Sequence, residues 1–401
     1  MMRKTFIWLA LILAAACTAD PSRNWPADLY QLNIRLNYPS GYEEAVREGV
    51  PVLVSEKFSG AEYQVVTNVN GEIGLRLTAG IYRVSVSDRY RSRNLFNGTS
   101  DFVISADLNA SLDLVYSEAS PLLIRELYVG GCSKAPKEGS YQSDQYVVLH
   151  NNGSSVQYLD SLCFGTMSPY NSTGANNWLN ADGSFPSFAP IVTVVWRFPG
   201  DGTTFPLAPG EDAIIALRGA IDHTQEYPLS VNLNRPDCFV CYNPTYFPNT
   251  TYHPAPGDQI RQDHILDVVI KTGQANANTI SINSPTFLIF KAQGMSIENF
   301  VRQEGVVRVT PGNSSDVVVT VPWEWVKDAV EVFNGSSTGN VKRLPPHQDV
   351  GFVYQMETYK GRALTRRIDE EASLDEGYTI LWDTNNSSSD FYETDTPLLR
   401  Q

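Results

Sequence analysis

Strict alternation of apolar and polar side chains constrains the fold of this chain more than any other feature. In "YQLNIRLNYP", polar residues separate Tyr30, Leu32, Ile34, Leu36 and Tyr38. A period of two places successive side chains on opposite faces of a β-strand, so this segment predicts a strand with one dry face and one wet face. The same pattern returns in "VPVLV", "IGLRL", "IYRVSV" and "LNASLDLVY", with Asn-Gly and Ala-Gly turn signals between the runs.

Two regions follow from this pattern. Residues 27–117 hold about seven short strands at the spacing of a small antiparallel sandwich. Residues 118–401 continue in strand-like runs such as "DQYVVLHN", "VTVVWRF" and "TFLIFKA". Helical periodicity is scarce, and the two candidate helices are "SIENFVRQE" and "WEWVKDAVEVF", the second with Pro322 at a plausible helix start. We therefore predict an all-β protein of two Ig-like antiparallel β-sandwich domains, the second enlarged by long loop insertions.

The N-terminal segment has the composition of an export signal. Arg3 and Lys4 precede an apolar run that ends in three alanines and is too short to cross a bilayer permanently. The alternative is a buried N-terminal helix, but the run has no amphipathic pattern and directly precedes a linker containing Pro and Asn. We expect residues 1–16 to be a signal peptide and residues 17–26 to be a tether.

Cys17 stands directly after the small residues, where ordinary cleavage and lipoprotein processing are both open. The segment resembles a bacterial lipobox, although Ala14 stands where Leu is usual. That resemblance implies that Cys17 becomes an acylated N-terminus, and multiple acyl chains hold a protein stably to a membrane at about 0.8 kcal/mol per buried methylene. Thr18 replaces the Asp that retains lipoproteins in the inner membrane. The expected location is the bacterial outer membrane, lipid-anchored through Cys17 and exposed at the cell surface.

The charge of the chain argues against nucleic acid as a partner. The formal net charge is −14, and loss of Arg3 and Lys4 with the signal peptide makes the exported chain more acidic. Binding to phosphates requires clustered Lys and Arg, and the sequence contains no such cluster. No later apolar run is long enough to span a membrane.

Two local motifs of catalysis are missing. The sequence has no His-Glu-x-x-His and no glycine-rich phosphate loop. Paired carboxylates leave no local signature, so a glycan-acting hydrolase remains an alternative. The sequence favours a protein that is not an enzyme and needs no cofactor.

The cysteines beyond the proposed anchor are candidates for disulfides. They are Cys132, Cys163, Cys238 and Cys241. Export permits disulfides, and four thiols allow three pairings that sequence cannot separate. The alternative is a zinc site formed by Cys238, Cys241, His253 and His264. The wide spacing between the two histidines weakens it, so we expect disulfides and no metal.

Aromatic residues crowd a long loop around "DCFVCYNPTYFPNTTYHP". The candidate ligand-binding residues are Tyr227, Phe239, Tyr242, Tyr246, Phe247 and Tyr252. Tyrosine suits ligand contact because it offers an apolar face and a polar tip at little entropic cost. The alternative is that the rings close a secondary core beneath the loop.

The late loop "LWDTNNSSSDFYETD" gathers oxygen-bearing side chains. These are Asp383, Asn385, Asn386 and Asp390. Such oxygens can hold calcium, but the loop lacks the alternation and glycine of an EF-hand. Asp, Asn and Ser are also ordinary turn residues, so a structural turn is favoured.

Two resemblances bear on the fold. "VVTNVNGEIGLRLTAGIYRVSVS" is similar to the transthyretin-like or carboxypeptidase-regulatory class of small sandwiches, which serve mainly as spacers. "IRELYVGG", "SDQYVVLHNNGSSVQYLDSLCFG", "FPLAPGEDAIIAL" and "GRALTRR" resemble segments of a lamin-tail domain. A lamin-tail domain is less than half as long as this region, so the extra sequence is expected in insertions at about 166–189, 218–263 and 296–343.

Taken together, the chain resembles a family of Bacteroides-type surface lipoproteins of unknown function, commonly found beside TonB-dependent receptors. The resemblance implies a non-enzymatic, lipid-anchored cell-surface protein that binds a ligand or assists a TonB-dependent uptake system. The implied partners are outer-membrane lipid, a TonB-dependent receptor and an unidentified small molecule or glycan. The alternatives are a secreted glycan-acting hydrolase and a protein that captures metal or a metal chelate.

Overall fold

The structure is a computed structural model that describes residues 28–91, 93–335 and 337–400. The described residues form an all-β fold of packed sheets, which confirms the fold class predicted from the alternation. One sandwich is built from residues 30–118 and a second, larger one from residues 122–400. The proposed signal peptide and tether lie outside the described residues.

The first sandwich packs a three-stranded sheet on a five-stranded sheet. Its strands are β1 (Tyr30–Asn37), β2 (Pro51–Glu56), β3 (Glu62–Val66), β4 (Glu72–Leu77), β5 (Gly80–Tyr90), β6 (Asn94–Ile104), β7 (Leu108–Asp113) and β8 (Val115–Glu118). The strand orders are β4-β1-β7 and β3-β2-β5-β6-β8.

The second sandwich packs a six-stranded sheet on an eight-stranded sheet. Its strands are β9 (Leu122–Tyr128), β10 (Cys132–Ser133), β11 (Ser140–Tyr141), β12 (Tyr146–Asn151), β13 (Gln157–Tyr158), β14 (Cys163–Met167), β15 (Phe188–Arg197), β16 (Pro206–Leu207), β17 (Asp212–Ala216), β18 (Cys238–Val240), β19 (Asp267–Lys271), β20 (Thr286–Phe290), β21 (Val307–Thr310), β22 (Asn313–Pro322), β23 (Val326–Asn334), β24 (Val353–Gln355), β25 (Ala363–Arg366) and β26 (Phe391–Thr394). The six-stranded sheet has the order β18-β17-β12-β9-β25-β26. The eight-stranded sheet has the order β21-β22-β15-β14-β20-β23-β24, with β19 also paired to β15.

Helices are short. The α-helices are α1 (Ile297–Phe300), α2 (Glu370–Glu376) and α3 (Ser387–Asp390), and single 3-10 turns lie at Glu43–Ala45, His223–Gln225, Gln262–His264, Trp323–Trp325 and Leu398–Arg400. No helix among the described residues is long and apolar enough to cross a membrane.

Strand β1 shows why the alternating pattern folds as it does. Leu32, Ile34 and Leu36 are buried in the core of the first sandwich, whereas Asn33 and Arg35 face solvent. The strand pairs antiparallel with β4 and parallel with β7. A parallel neighbour requires a long connection, and β1 and β7 are separated by five intervening strands.

The second sandwich differs because its central strands are buried on both faces. Every residue of β12, β14 and β20 is buried. One face of each sheet contributes to the inner core, the apolar layer between the sheets that contains Ile124, Leu149 and Phe287. The insertions cover the outer faces, so they complete the fold as well as extend it.

Each outer cover is an apolar cluster. Residues of the 218–263 insertion, including Val231 and Leu233, pack on the outside of the six-stranded sheet. Residues of the 296–343 insertion, including Phe300 and Trp323, pack on the outside of the eight-stranded sheet. Burying both faces removes about 25 cal/mol of unfavourable hydration per Å² of apolar surface.

The helix predicted in "WEWVKDAVEVF" is wrong. Only Trp323–Trp325 forms a helical turn, and Val326–Asn334 is strand β23 between β20 and β24. Val330 and Val332 face the inner core, while Ala329 faces the apolar cluster outside the eight-stranded sheet. Burial on both faces abolishes the period of two, and adjacent apolar residues then imitate helical spacing.

The segment 382–390 of the second sandwich contacts the first sandwich through hydrogen bonds. The Thr384 carbonyl oxygen accepts hydrogen bonds from Asn97 Nδ2 at 2.8 Å and from Ser87 Oγ at 3.2 Å. Asn385 Nδ2 donates to Ser117 Oγ at 2.8 Å. The first sandwich is therefore held against a loop of the second by directed polar contacts.

That segment is positioned by a buried cluster around Arg366, hereafter the Arg366 cluster. Arg366 Nη2 lies 2.8 Å from Asp328, and Nη1 lies 3.5 Å from both Asp383 and Asp390. Burial raises the pKa of Asp328 to about 7 and that of Asp390 to about 6. The guanidinium thus links β23 and β25, in opposite sheets, to the segment that contacts the first sandwich.

We expect Arg366→Met to lower the free energy of unfolding by about 3–5 kcal/mol, because it leaves buried carboxylates without their cation. Urea unfolding followed by circular dichroism measures the change. Arg362→Met is the matched control, because Arg362 pairs with Asp395 at 2.6 Å on the surface, where ion pairs contribute about 0–1 kcal/mol. Equal losses in both variants would contradict a structural role for the Arg366 cluster.

Candidate functional site

A groove of about 710 Å³ lies at one end of the eight-stranded sheet. It is defined here by its lining residues, most of which are small or carry neutral hydrogen-bonding groups: Ser168, Pro169, Tyr170, Gly174, Ala175, Asn177, Val192, Thr193, Gly273, Gln274, Ala275, Thr279, Thr310, Asn313, Ser315 and Asp316. Its volume is in the range of small-molecule and cofactor sites.

Thr193 forms part of the groove wall in a strained conformation. It has a φ of +72°, which is an outlier for a β-branched residue. Its carbonyl oxygen accepts hydrogen bonds from Thr272 N at 2.8 Å and Gly273 N at 2.9 Å. A Cβ on Gly273 would lie 3.1 Å from the Thr193 Cα, so the close approach favours glycine. Backbone strain maintained by its surroundings is frequent at functional sites.

Hydrogen bonds hold the loops of the groove together. One Asp316 carboxylate oxygen accepts from Ser168 Oγ at 3.0 Å and from Thr310 Oγ1 at 2.8 Å. Asn177 Nδ2 donates to the Pro311 carbonyl oxygen at 2.9 Å. These bonds tie the 166–189 insertion to the β21–β22 hairpin, so the groove is preorganised.

Tyr170 is the aromatic residue of the groove. The side chain keeps 37% of its surface exposed, while its hydroxyl end interacts with Thr279. Burial of that end raises the pKa of the phenol above its usual value. The ring therefore offers an apolar face to a ligand while its hydroxyl is held in place.

The structure does not assemble the aromatic residues predicted from sequence into one binding surface. Phe239 and Phe247 lie in the inner core, where Phe247 stacks on Trp196 with 5.7 Å between ring centroids. Tyr227 is buried against Tyr141. Their burial removes these three residues from the candidate ligand contacts, because the loop folds back to close the core.

The other three aromatic residues of that loop lie nearer the surface. Tyr242 is partly buried against the apolar cluster outside the six-stranded sheet, and its ring stacks on His253. Tyr246 and Tyr252 are 47% and 50% exposed, so they remain available to a ligand.

The predicted disulfides are not formed. All four described cysteines are free and buried. Strand alternation explains why the two cysteines of "CFVC" form no disulfide. Cys241 faces the inner core, whereas Cys238 faces the apolar cluster outside the six-stranded sheet. Cys163 lies in the cluster behind the eight-stranded sheet, and Cys132 lies beside Asp144.

The oxygen- and sulfur-bearing sets weighed from sequence have structural roles. No group of three or more His, Cys, Asp or Glu in the described ranges is arranged to hold a metal ion. His264 stacks on Phe239 and its Nδ1 lies 3.2 Å from the Cys238 carbonyl oxygen. In the late loop, Asp390 accepts from the Thr384 amide and hydroxyl, and Asn386 caps α3. Cys17 lies outside the described residues.

Sequence reasoning missed the groove residues. Thr193 lies within the apolar run "VTVVWRF" and Thr279 lies within "GQANANTIS", neither of which carries a recognised motif. A β-branched residue with positive φ has no sequence signature. The one available indication was the polar composition of 273–279 next to a glycine.

We expect the native protein to be nearly inert to thiol reagents. Burial raises the pKa of Cys132 and Cys238 to about 12, and the thiolate is the reactive form. Ellman titration in denaturant without reductant should then detect all four thiols that the structure shows free. Detection of two or none after denaturation would show that disulfides form in the exported protein.

A solved structure from Bacteroides has a fold similar to that of this chain. A DUF4876 family protein from Bacteroides thetaiotaomicron is 26% identical, and the match covers 90% of this chain and 94% of that chain with a TM-score of 0.57. A DUF3823 family protein from Parabacteroides merdae is 12% identical over 35% of this chain and 67% of that chain, with a TM-score of 0.18. The Bacillus anthracis TIE protein is 13% identical over 46% of this chain and 48% of that chain, with a TM-score of 0.20.

No curated protein matches this chain. Residues 208–398, just under half of the sequence, match the family described as "Protein of unknown function (DUF4876)". This region contributes Thr279, Thr310 and Asp316 to the groove. By that match and the Bacteroides structure, this chain is similar to the DUF4876 family, which is described as of unknown function.

Proposed function

We propose that this protein is a non-enzymatic, lipid-anchored cell-surface protein that binds a glycan in the groove. The observation that carries the proposal is the lining itself: hydroxyl and amide side chains surround the partly exposed ring of Tyr170. Sugars present hydroxyl groups that exchange hydrogen bonds with such side chains, and their C–H faces pack on aromatic rings. A preorganised groove lowers the entropy lost on binding.

The lining supports binding rather than hydrolysis. Glycosidases in general use two facing carboxyl groups, one on each side of the scissile bond. Asp316 is the one carboxylate among the groove-lining residues, and it already accepts hydrogen bonds from Ser168 and Thr310. The hydrolase alternative therefore has less support from the groove than the binding proposal.

The location and partners in this proposal come from the N-terminal sequence and the resemblances. Acylated Cys17 would anchor the protein in the outer membrane, and the first sandwich, similar to transthyretin-like spacers, would hold the lamin-tail-like second sandwich away from the lipid. A ligand held at the cell surface would then pass to a TonB-dependent receptor.

We expect Tyr170→Ala to weaken glycan binding at least tenfold, because truncating a central aromatic contact commonly costs more than about 1.4 kcal/mol. Binding is measured by glycan-array screening of the detergent-solubilised protein, followed by isothermal titration of the hits. Tyr158→Ala is the matched control, because Tyr158 is 39% exposed but lies outside the groove. Equal loss in both variants, or no binding to any glycan, would contradict the proposal.

We expect Cys17→Ser to release the protein from the membrane fraction, because serine cannot receive the thioether-linked lipid of a lipoprotein. Fractionation and mass spectrometry of the mature N-terminus are the measurements. A serine variant that stays attached, or a wild-type N-terminus without acyl groups, would remove the anchor from the proposal and leave the groove untouched.

A further inference from the structure

Arg218 is a buried arginine that has no carboxylate partner among the described residues. It is 96% buried and its Nε donates to the Asn278 carbonyl oxygen at 3.0 Å, but in the described part of the chain its Nη1 has no hydrogen-bond partner. The other deeply buried arginines differ: Arg343 pairs with Glu331 at 3.0 Å, and Arg366 faces three aspartates. A buried guanidinium with an unused donor is unfavourable, so Arg218 calls for an acceptor.

His253 supplies a second unused donor close by. Its Nε2 accepts from Asn243 N at 3.3 Å, which places the ring proton of the neutral form on Nδ1. His253 is 1% exposed, and its Nδ1 has no hydrogen-bond partner within residues 28–91, 93–335 and 337–400. Burial and then the charge of Arg218 lower the pKa of His253 to about 4, so the ring is neutral at pH 7.

The segments that carry these two donors pack against each other. The absent side chain of Gly219 allows Pro254 to approach, because a Cβ there would lie 3.0 Å from the proline Cγ. Gly257 N donates to the Ala220 carbonyl oxygen at 2.8 Å. The loop that carries His253 therefore lies directly against the segment that carries Arg218.

Three tyrosines lie near Arg218. Tyr170, Tyr252 and Tyr359 all interact electrostatically with its guanidinium, and each is partly exposed. Tyr170 also lines the groove, so it connects the groove to the buried donors. Asn278, whose carbonyl oxygen accepts from Arg218, directly precedes the groove residue Thr279.

We propose that Arg218 and His253 form a carboxylate-binding subsite at the Tyr170 end of the groove, and that the ligand is an acidic saccharide of the uronate type. This inference rests on the proposed glycan-binding function. A carboxylate oxygen would accept from Nη1 of Arg218 and from Nδ1 of His253, giving charge-assisted hydrogen bonds away from water.

The surrounding charge favours a monoanion over a phosphate. Asp144 acts on Arg218 electrostatically, Asp316 lines the groove, and the whole chain has a net charge of −14. One guanidinium beside such groups can balance a single negative charge better than two. The subsite therefore suits a uronate carboxylate.

Isothermal titration with trigalacturonate and its methyl ester tests the subsite. We expect wild-type protein to bind the acid at least tenfold more tightly than the ester, and Arg218→Gln to bind both equally. Arg308→Gln removes an exposed positive charge next to the groove and should keep the preference. A preference that survives in Arg218→Gln, no preference in the wild type, or no binding of either probe would overturn the inference.

A second measurement uses only wild-type protein, in case Arg218→Gln does not fold. Long-range ¹H–¹⁵N spectra report the pKa and tautomer of His253. Bound trigalacturonate should raise the His253 pKa, because the carboxylate offsets the guanidinium charge; binding without such a rise would overturn the inference. If neutral glycans bind through Tyr170 while the acid and the ester bind equally, the carboxylate subsite is wrong and the proposed glycan-binding function is retained.

Discussion

The guanidinium of Arg366 is the interaction on which the arrangement of this molecule depends. It lies between the two sheets of the second sandwich, with Asp328 on one side and Asp390 on the other, and its face packs on the ring of Phe391 at 4.6 Å. Because Asp390 also holds the Thr384 amide and hydroxyl, the same cluster sets the loop whose carbonyl meets the first sandwich. Burial, and to a smaller extent repulsion from Asp383, raises the pKa of Asp328 and that of Asp390, and the charge of Arg366 opposes both effects.

Burial of the second sandwich on both faces explains the use of its long insertions. A sheet whose two faces are apolar needs a cover on each side, and the insertions provide it with residues such as Leu233 and Phe300. This packing buries Tyr227, Phe239 and Phe247 of the loop that suggested a binding surface, and it buries the four thiols that suggested disulfides. The 166–189 insertion does something different, because it forms one wall of a polar groove held by Asp316.

The buried arginines differ in whether a carboxylate of the chain pairs with them. Arg343 and Arg366 have carboxylates at hydrogen-bond distance, so each is compensated within the chain. Arg218 has a backbone carbonyl and an unused donor, and His253 nearby has another. Such incomplete pairing lowers the stability of the free protein, and a ligand that supplies the missing acceptor would stabilise the folded state. The functional proposals therefore rest on the groove and the donors beside it. The ion pairs of Arg343 and Arg366 stabilise the fold.

The sequence by itself determined that this chain is built from strands, because alternation such as that of Leu32, Ile34 and Leu36 is a local property with a period of two. It could not show that Val326–Asn334 is a strand, since burial on both faces erases that period. The tertiary structure alone decided that Cys238 and Cys241 face different cores, that Thr193 is strained, and that Arg218 has no carboxylate partner among the described residues. Those outcomes depend on which distant segments cover each face, and neither sequence spacing nor composition records long-range packing.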